Sequence, residues 1–135
     1  MIEDNRADVF LIRDAIQAKF EADIQVIPDG EKAIRMLQRL EGEESAPGPD
    51  LVILDINLPK KDGGQVLFHI RNTKRYAATP VIIVTSSDSA VDREEMARQG
   101  ANAYFRKPSE YAEFMKLGEV AETILAGNSP SNPPN

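Results

Sequence analysis

Residues 51–55 of the sequence read Leu-Val-Ile-Leu-Asp, and residues 81–85 read Val-Ile-Ile-Val-Thr. In each stretch, four consecutive apolar residues precede one polar residue. Continuous apolar runs, rather than alternation of apolar and polar residues, are typical of parallel strands that are covered on both faces. The two stretches therefore predict two inner strands of a parallel sheet, each of which ends at a polar side chain.

Apolar residues at helical spacing lie on both sides of these two strands. They predict helices at residues 6–20, 29–40, around 66–70, 91–99 and 111–125. Two shorter strands are predicted at residues 23–28 and 103–105. Alternating strands and helices predict an α/β fold with a doubly wound, flavodoxin-like (βα)5 sheet of parallel strands in the order 2-1-3-4-5.

The predicted first strand is short. Only Met1-Ile2-Glu3-Asp4 precede the first helix, although the first strand lies in the middle of a sheet of this order. We therefore expect the first strand to be truncated and several apolar residues to precede Met1 in the intact protein. Residues 1–126 are assigned to one domain, and the Pro-rich segment 127–135 is expected to be disordered.

Composition excludes several classes of function. The chain has 135 residues, of which 16 are Lys or Arg and 22 are Asp or Glu, so its formal net charge is −6. This acidic balance argues against binding of nucleic acid or membrane surfaces. The absence of cysteine excludes disulfides and thiolate zinc sites. No segment resembles a signal peptide or a membrane span, and we expect a cytoplasmic protein.

Polar residues stand where four of the predicted strands end, namely Glu3-Asp4, Asp55, Thr85 and Lys107. The carboxyl ends of parallel strands share one crevice. Three carboxylates there repel one another unless a cation or a Lys lies among them, and oxygen ligands without His or Cys favour Mg²⁺. An ionised Asp beside Mg²⁺ is a plausible nucleophile for forming an aspartyl phosphate. Each residue taken singly also has a structural interpretation as a cap, a turn former or a surface charge.

The combination resembles the receiver domain of two-component response regulators over residues 1–125. Four pieces carry the resemblance: the acidic pair Glu3-Asp4, the segment LVILDINLPKKDG around Asp55, VTSS at Thr85, and FRKP at Lys107. It implies that Asp55 is the phosphoacceptor and that Thr85 and Lys107 hold the phosphoryl oxygens. It also implies that Pro59 and Gly63 form the turn after the acceptor strand, and that the bond between Lys107 and Pro108 is cis.

The resemblance also implies a set of magnesium ligands. Asp4 and Asp55 would bind Mg²⁺ directly, Glu3 through water, and Asn57 through its backbone carbonyl. Asn57 and Ser87 would tune the loss of the phosphoryl group. We expect a phosphoacceptor with Mg²⁺-dependent self-phosphorylation and slow autodephosphorylation, rather than an enzyme.

Two further features concern signalling. Tyr104 stands where receiver domains place a switching aromatic residue, which implies that Thr85 and Tyr104 act together as the switch; the alternative is a half-buried aromatic of an edge strand. The last predicted helix carries apolar residues on more than one face: Leu117, Val120, Ala121, Ile124 and Leu125. They indicate either a surface for a partner, such as a homodimer, or a helix that is deeply buried.

The finer resemblance is to small stand-alone regulators that partner bacterial phytochromes and have no output domain. It implies that the partner is a phytochrome-type sensor histidine kinase and that the output is a change in protein contacts. A phosphohydrolase with an Asp nucleophile would need a second carboxylic acid at residue 57, where this chain has Asn57. A flavodoxin relative would need a Ser/Thr-rich phosphate loop where this chain has the acidic sequence EDNRAD at residues 3–8. Both alternatives are therefore disfavoured.

Overall fold

A computed structural model describes residues 1–58 and 62–127 of the chain. Three parallel strands form the hydrogen-bonded sheet, in the order β1 (Val52–Leu54), β2 (Val81–Thr85) and β3 (Ala103–Arg106). The register pairs Ile53 with Ile82 and Ile83 with Tyr104. The two apolar stretches at residues 51–54 and 81–84 therefore lie side by side in the sheet.

Two isolated parallel bridges continue the sheet beyond β1. Ile2 bridges to Leu54 on one side and to Ile27 on the other. The order across the molecule is thus Ile27, Ile2, β1, β2, β3, which is the predicted order 2-1-3-4-5. The strand predicted at residues 23–28 is reduced to its bridge at Ile27, because the neighbouring first strand offers little more than Ile2 for pairing.

Six helices surround the sheet in the described part of the chain. They are α1 (Arg6–Gln17), α2 (Gly30–Glu41), α3 (Gly63–Arg71), α4 (Ala90–Arg98), α5 (Tyr111–Phe114) and α6 (Lys116–Leu125). The side chains of Asn5, Asp29, Asp62 and Ser89 cap the first four helices by accepting a backbone N–H of the first turn. The single helix predicted at residues 111–125 is divided at Met115, where the backbone of Gly118 donates a tighter i to i−3 bond to Met115.

Helices cover both faces of the sheet, as a doubly wound fold requires. Leu54 and Ile83 face α2 and α3, whereas Ile53, Ile82 and Val84 face α1, α5 and α6. Each face thus has its own apolar layer, and the sheet separates the two.

The last helix packs against α1. A Cβ on Gly118 would lie 2.5 Å from the carbonyl oxygen of Ala15, so glycine permits this close approach. Leu117, Ala121 and Ile124 are buried in the layer between α6, α1 and the sheet. Of the two interpretations of this helix, burial therefore applies to these three side chains, while Leu125 stays 41% exposed.

A cavity of about 650 Å³ lies beyond the amino end of the Ile2 bridge. Segments 23–25 and 51–53 line two of its sides, together with apolar side chains of α1 and α2 such as Ile16 and Leu37. The terminal ammonium of Met1 donates a hydrogen bond to the carbonyl of Gln25 (2.9 Å), and burial lowers its pKa to about 6. The cavity thus lies between segments 23–25 and 51–53, which continue to Ile27 and Leu54, the two residues that Ile2 bridges.

One expectation about the backbone is wrong. The described residues contain no cis peptide bond, so the bond between Lys107 and Pro108 is trans, the isomer that X-Pro bonds favour by about 0.5–1 kcal/mol. The expectations for Pro59 and for residues 128–135 lie outside the described residues. Within residues 1–58 and 62–127, no helix combines the length and the apolar character needed to cross a membrane.

Candidate functional site

The carboxyl end of the sheet brings the predicted site residues together. Asp55 follows β1 directly, Thr85 is the last residue of β2, and Lys107 follows β3. Glu3 follows the Ile2 bridge, and its backbone N–H donates to the carbonyl of Ile27 (3.0 Å). All four side chains are turned inward: Glu3, Asp55 and Thr85 are buried, and the Lys107 side chain is only 10% exposed.

Lys107 is the centre of the charged cluster. Its ammonium nitrogen lies 2.7 Å from Glu3 Oε1, 2.8 Å from Asp8 Oδ2 and 2.9 Å from Asp55 Oδ2. Burial lowers the pKa of Lys107, but the three carboxylates outweigh burial and raise the pKa above its usual value of 10.5. Lys107 is therefore a permanent positive charge at neutral pH.

Asp55 is buried and yet ionised. Burial raises the pKa of its carboxyl, but the N–H of Asn57, which donates to Oδ1 (3.0 Å), and the ammonium of Lys107 together lower the pKa below the usual 3.8. A buried carboxylate that keeps its charge and reaches a crevice at the sheet edge is available as a nucleophile. Gly63 lies against it, since a Cβ at residue 63 would come within 2.4 Å of the carbonyl oxygen of Asp55.

The environment of Glu3 shifts its pKa in the opposite direction from that of Asp55. It is 2% exposed, and burial raises the pKa of its carboxyl to about 7, despite the charge of Lys107 and the N–H of Asn5. Oε1 is buried, and the ammonium of Lys107 lies 2.7 Å from it. A carboxylate oxygen has two lone pairs, so Oε1 can contact a metal ion in addition to the ammonium.

A divalent cation fits the acidic end of this cluster. One carboxylate oxygen from each of Glu3, Asp4 and Asp55 can be chosen so that all lie within 4.8 Å of one another. Asp4 is exposed, which leaves one side open to water. Oxygen ligands with retained water molecules are the environment that Mg²⁺ prefers. The contribution of Asn57 through its carbonyl stays a prediction, since the described contact of Asn57 is its N–H to Asp55.

The predicted switch residues form a second group beside the site. Thr85 is fully buried, and its hydroxyl oxygen accepts the N–H of Ser87 in a long hydrogen bond (3.4 Å). Tyr104 is half-buried and donates its hydroxyl to the carbonyl of Ser87 (2.9 Å), while the guanidinium of Arg93 lies over its ring at 4.5 Å. The hydroxyl of Ser87 itself donates to Asp92 (2.6 Å). These contacts join Thr85 to Tyr104 through Ser87; an exchange between two arrangements stays a prediction.

Asp8 was missed in the sequence, where it received no role. It lies in the first turn of α1 and contacts Lys107, which is 99 residues away along the chain. Its position in the sequence was an available signal. The first turn of α1 begins just after Glu3-Asp4, so an acidic residue in that turn lies near the same edge of the sheet.

The chain matches the family model described as the response regulator receiver domain over residues 1–118. The chain belongs to this family. It is 29% identical to the response regulator Rcp1 of Synechocystis, over 92% of this chain and 85% of Rcp1. The probable methanogenesis regulatory protein FilR2 of Methanothrix harundinacea is 33% identical, over 98% of this chain and 86% of FilR2.

Solved structures agree with the receiver fold. The phosphorylated cyanobacterial phytochrome response regulator RcpA superposes with a TM-score of 0.81 at 31% identity, over 96% of this chain and 94% of RcpA. The Mn²⁺-bound form of Rcp1 superposes with a TM-score of 0.79 at 28% identity, over 98% of this chain and 96% of that chain. As a receiver domain in two-component signalling, the chain thus resembles regulators along nearly their whole length.

Proposed function

We propose that this receiver domain accepts a phosphoryl group on Asp55 from a sensor histidine kinase, in a reaction that requires Mg²⁺. The observation that carries the proposal is the state of Asp55. Its carboxylate is buried and charged, and it lies 2.9 Å from the ammonium of Lys107 at the open edge of the acidic cluster.

In the transfer step, a carboxylate oxygen of Asp55 forms a bond to phosphorus while the bond between phosphorus and the leaving group breaks. The leaving group departs with the electron pair of that bond. Lys107 is placed to neutralise the charge on the phosphoryl oxygens, and the buried hydroxyl of Thr85 is the proposed donor to a second oxygen. Both residues already lie around Asp55 before any phosphoryl group arrives, so little reorganisation precedes the reaction.

Asp4 and Asp55 are the proposed side-chain ligands of Mg²⁺, Glu3 contributes through water, and the backbone carbonyl of Asn57 is a further ligand. When bound, the ion supplies charge neutralisation for the transferred group and the carboxylates around it. The solved structure of Rcp1 in its Mn²⁺-bound form supports a divalent ion in a related protein. The same ligands would serve phosphorylation and hydrolysis, because the charge must be neutralised in both directions.

The protein is proposed to be a phosphoacceptor with slow autodephosphorylation, not a phosphatase. A phosphohydrolase built on an Asp nucleophile would need a general acid near residue 57, and Asn57 has no carboxylic proton to give. Asn57 and Ser87 are proposed to affect the lifetime of the phosphoryl group, since both lie in the segments that follow Asp55 and Thr85.

A phytochrome-type kinase is the proposed partner, because RcpA is a cyanobacterial phytochrome response regulator and is 31% identical to this chain. The proposed output is a change in protein contacts, including self-association at the last helix. On that helix Leu125 is 41% exposed, and Tyr111 at the start of α5 is 56% exposed. Sedimentation with and without the phosphoryl mimic beryllofluoride tests this output.

Acetyl phosphate with Mg²⁺ tests the central proposal. We expect the intact mass to rise by one phosphoryl group in the unmodified protein, and not in Asp55→Asn, whose amide has a similar shape but is not a nucleophile. EDTA and Asp4→Ala should each suppress labelling. Undiminished labelling of Asp55→Asn would place the acceptor elsewhere, and labelling in EDTA would remove the metal from the reaction.

A further inference from the structure

Asp8 contacts the reactive cluster from outside the predicted set of site residues. Its Oδ2 accepts a hydrogen bond from Lys107 Nζ (2.8 Å), and its side chain is 24% exposed. Its position is fixed, because the backbone N–H of Asp8 donates to the capping side chain of Asn5 (3.0 Å). Asp8 therefore holds one hydrogen of the ammonium from a well-anchored first turn of α1.

The three carboxylates around Lys107 differ in what else they can bind. Glu3 and Asp55 belong to the group whose oxygens lie within 4.8 Å of one another and could hold a metal ion, and Asp8 does not. An ion on that group and the ammonium of Lys107 compete for the oxygens of Glu3 and Asp55. Asp8 is the one of the three that stays available to Lys107 when an ion and a phosphoryl group engage the other two.

We propose that Asp8 is a positioning residue that holds Lys107 at the edge of the site while Glu3 and Asp55 bind the metal ion and the phosphoryl group. This inference rests on the proposed function. In the transfer step the ammonium turns from the Asp55 oxygen toward an oxygen of the phosphoryl group, and its hydrogen bond to Asp8 persists. Without Asp8, the ammonium remains between Glu3 and Asp55 and opposes the ion.

Removing the charge of Asp8 should therefore weaken metal binding before any phosphoryl donor is added. We expect Asp8→Asn to raise the apparent dissociation constant for Mn²⁺, measured by electron paramagnetic resonance at 0.15 M KCl, about tenfold. The rate of labelling by acetyl phosphate, followed by intact mass at a fixed Mg²⁺ concentration below saturation, should fall by a similar factor. Asp8→Glu keeps the carboxylate and should return both quantities to within about threefold of the unmodified protein.

Asp14→Asn is the matched control. Asp14 lies on the same helix, and its replacement removes the same charge, but the described hydrogen-bond partner of its side chain is the hydroxyl of Tyr111 (3.0 Å) rather than Lys107. At this ionic strength the charge of Asp14 is screened, and we expect less than about a twofold change in either quantity. Equal effects of Asp8→Asn and Asp14→Asn would overturn the inference, because they would reflect net charge alone.

A double-mutant cycle with Lys107→Met tests whether Asp8 acts through Lys107. Without the competing ammonium, we expect Mn²⁺ to bind more tightly than to the unmodified protein. In that background Asp8→Asn should change the Mn²⁺ affinity by less than about twofold. A full tenfold effect without Lys107, or no effect with it, would overturn the role of Asp8. Labelling of Asp55→Asn distinguishes failure of the proposed function from failure of the inference about Asp8. It tests whether Asp55 is the acceptor and does not depend on the position of Lys107.

Discussion

Gly63 lies so close to Asp55 that a Cβ at residue 63 would be 2.4 Å from the Asp55 carbonyl oxygen and 2.6 Å from Cα of Ile56. Both contacts are with backbone, which cannot move aside as the end of a flexible side chain can. The N–H of Gly63 also donates to the carbonyl of Ile56 (3.1 Å), so the start of α3 is tied to the segment after the acceptor. The first residue of one helix thus fixes the backbone that carries the nucleophile.

Gly63→Ala should therefore lower the free energy of unfolding by about 2 kcal/mol, since the added methyl forces the backbone after β1 to shift. The rate of labelling by acetyl phosphate should fall as well, because Asp55 moves with that backbone. Urea unfolding and intact mass measure the two effects. Gly42→Ala is the control: its Cβ would meet only the carbonyl oxygen of Arg39 at 3.6 Å, and both quantities should stay close to those of the unmodified protein.

The sequence predicted most of this arrangement because the two apolar runs end at Asp55 and Thr85, and parallel strands that end together bring those residues together. The acidic pair Glu3-Asp4 and Lys107 were placed at the same edge by the same argument, and the resemblance implied their roles. The contact between Asp8 and Lys107 could not be read in the same way, because it depends on how α1 is oriented relative to the end of β3. The division of the last helix at Met115 depends likewise on its packing against α1, which apolar spacing alone does not contain.

The raised pKa of Glu3 makes stability depend on pH. The pKa of this carboxyl is about 7 in the folded protein and near 4.5 when exposed, so between these values the folded state binds more protons than the unfolded state. The contribution of Glu3 to the free energy of unfolding therefore falls as pH rises from about 4.5 to 7. We expect Glu3→Gln to reduce this fall, which urea unfolding at pH 5 and pH 8 in EDTA would measure.

Asp23→Asn provides the comparison for Glu3→Gln, because Asp23 carries a carboxylate away from the cluster, where it lines the cavity at the opposite end of the sheet. Its replacement should leave the difference in stability between the two pH values close to that of the unmodified protein. A Glu3→Gln protein whose stability still falls as steeply would assign the pH dependence to other groups.

Tyr104 and Thr85 should be coupled through Ser87. Tyr104→Phe removes the hydrogen bond to the Ser87 carbonyl, at a cost of about 1 kcal/mol, while keeping the ring under Arg93. We expect beryllofluoride to produce smaller amide chemical-shift changes at residues 87–92 in this variant than in the unmodified protein. Tyr111→Phe loses a hydroxyl that is bound to Asp14 and should respond normally. Equal chemical-shift responses in the two variants would show that Tyr104 is not coupled to Thr85 through the Ser87 carbonyl.

The cavity beyond Ile2 leads to the last prediction, an extension of the chain that increases stability. In a parallel ladder, N–H and C=O groups of alternate residues point to the same neighbour. The carbonyl of Ile53 accepts the N–H of Ile2 (2.7 Å), so the carbonyl of Leu51, two residues earlier, faces the cavity on the same side. The cavity, of about 650 Å³, has apolar side chains of α1 and α2 in its lining, and segments 23–25 and 51–53 lead to Ile27 and Leu54, which already hold Ile2 between them. Four apolar residues, Val-Ile-Leu-Leu, added before Met1 would pair with both segments and bury their side chains.

Because part of the gain is offset by the entropy of ordering the added residues, we expect the free energy of unfolding to rise by about 2–4 kcal/mol. A Gly-Ser-Gly-Ser extension has the same length but nothing to bury, and it should leave stability nearly unchanged. Equal stability of the two extended proteins in urea would mean that the cavity does not accept a strand.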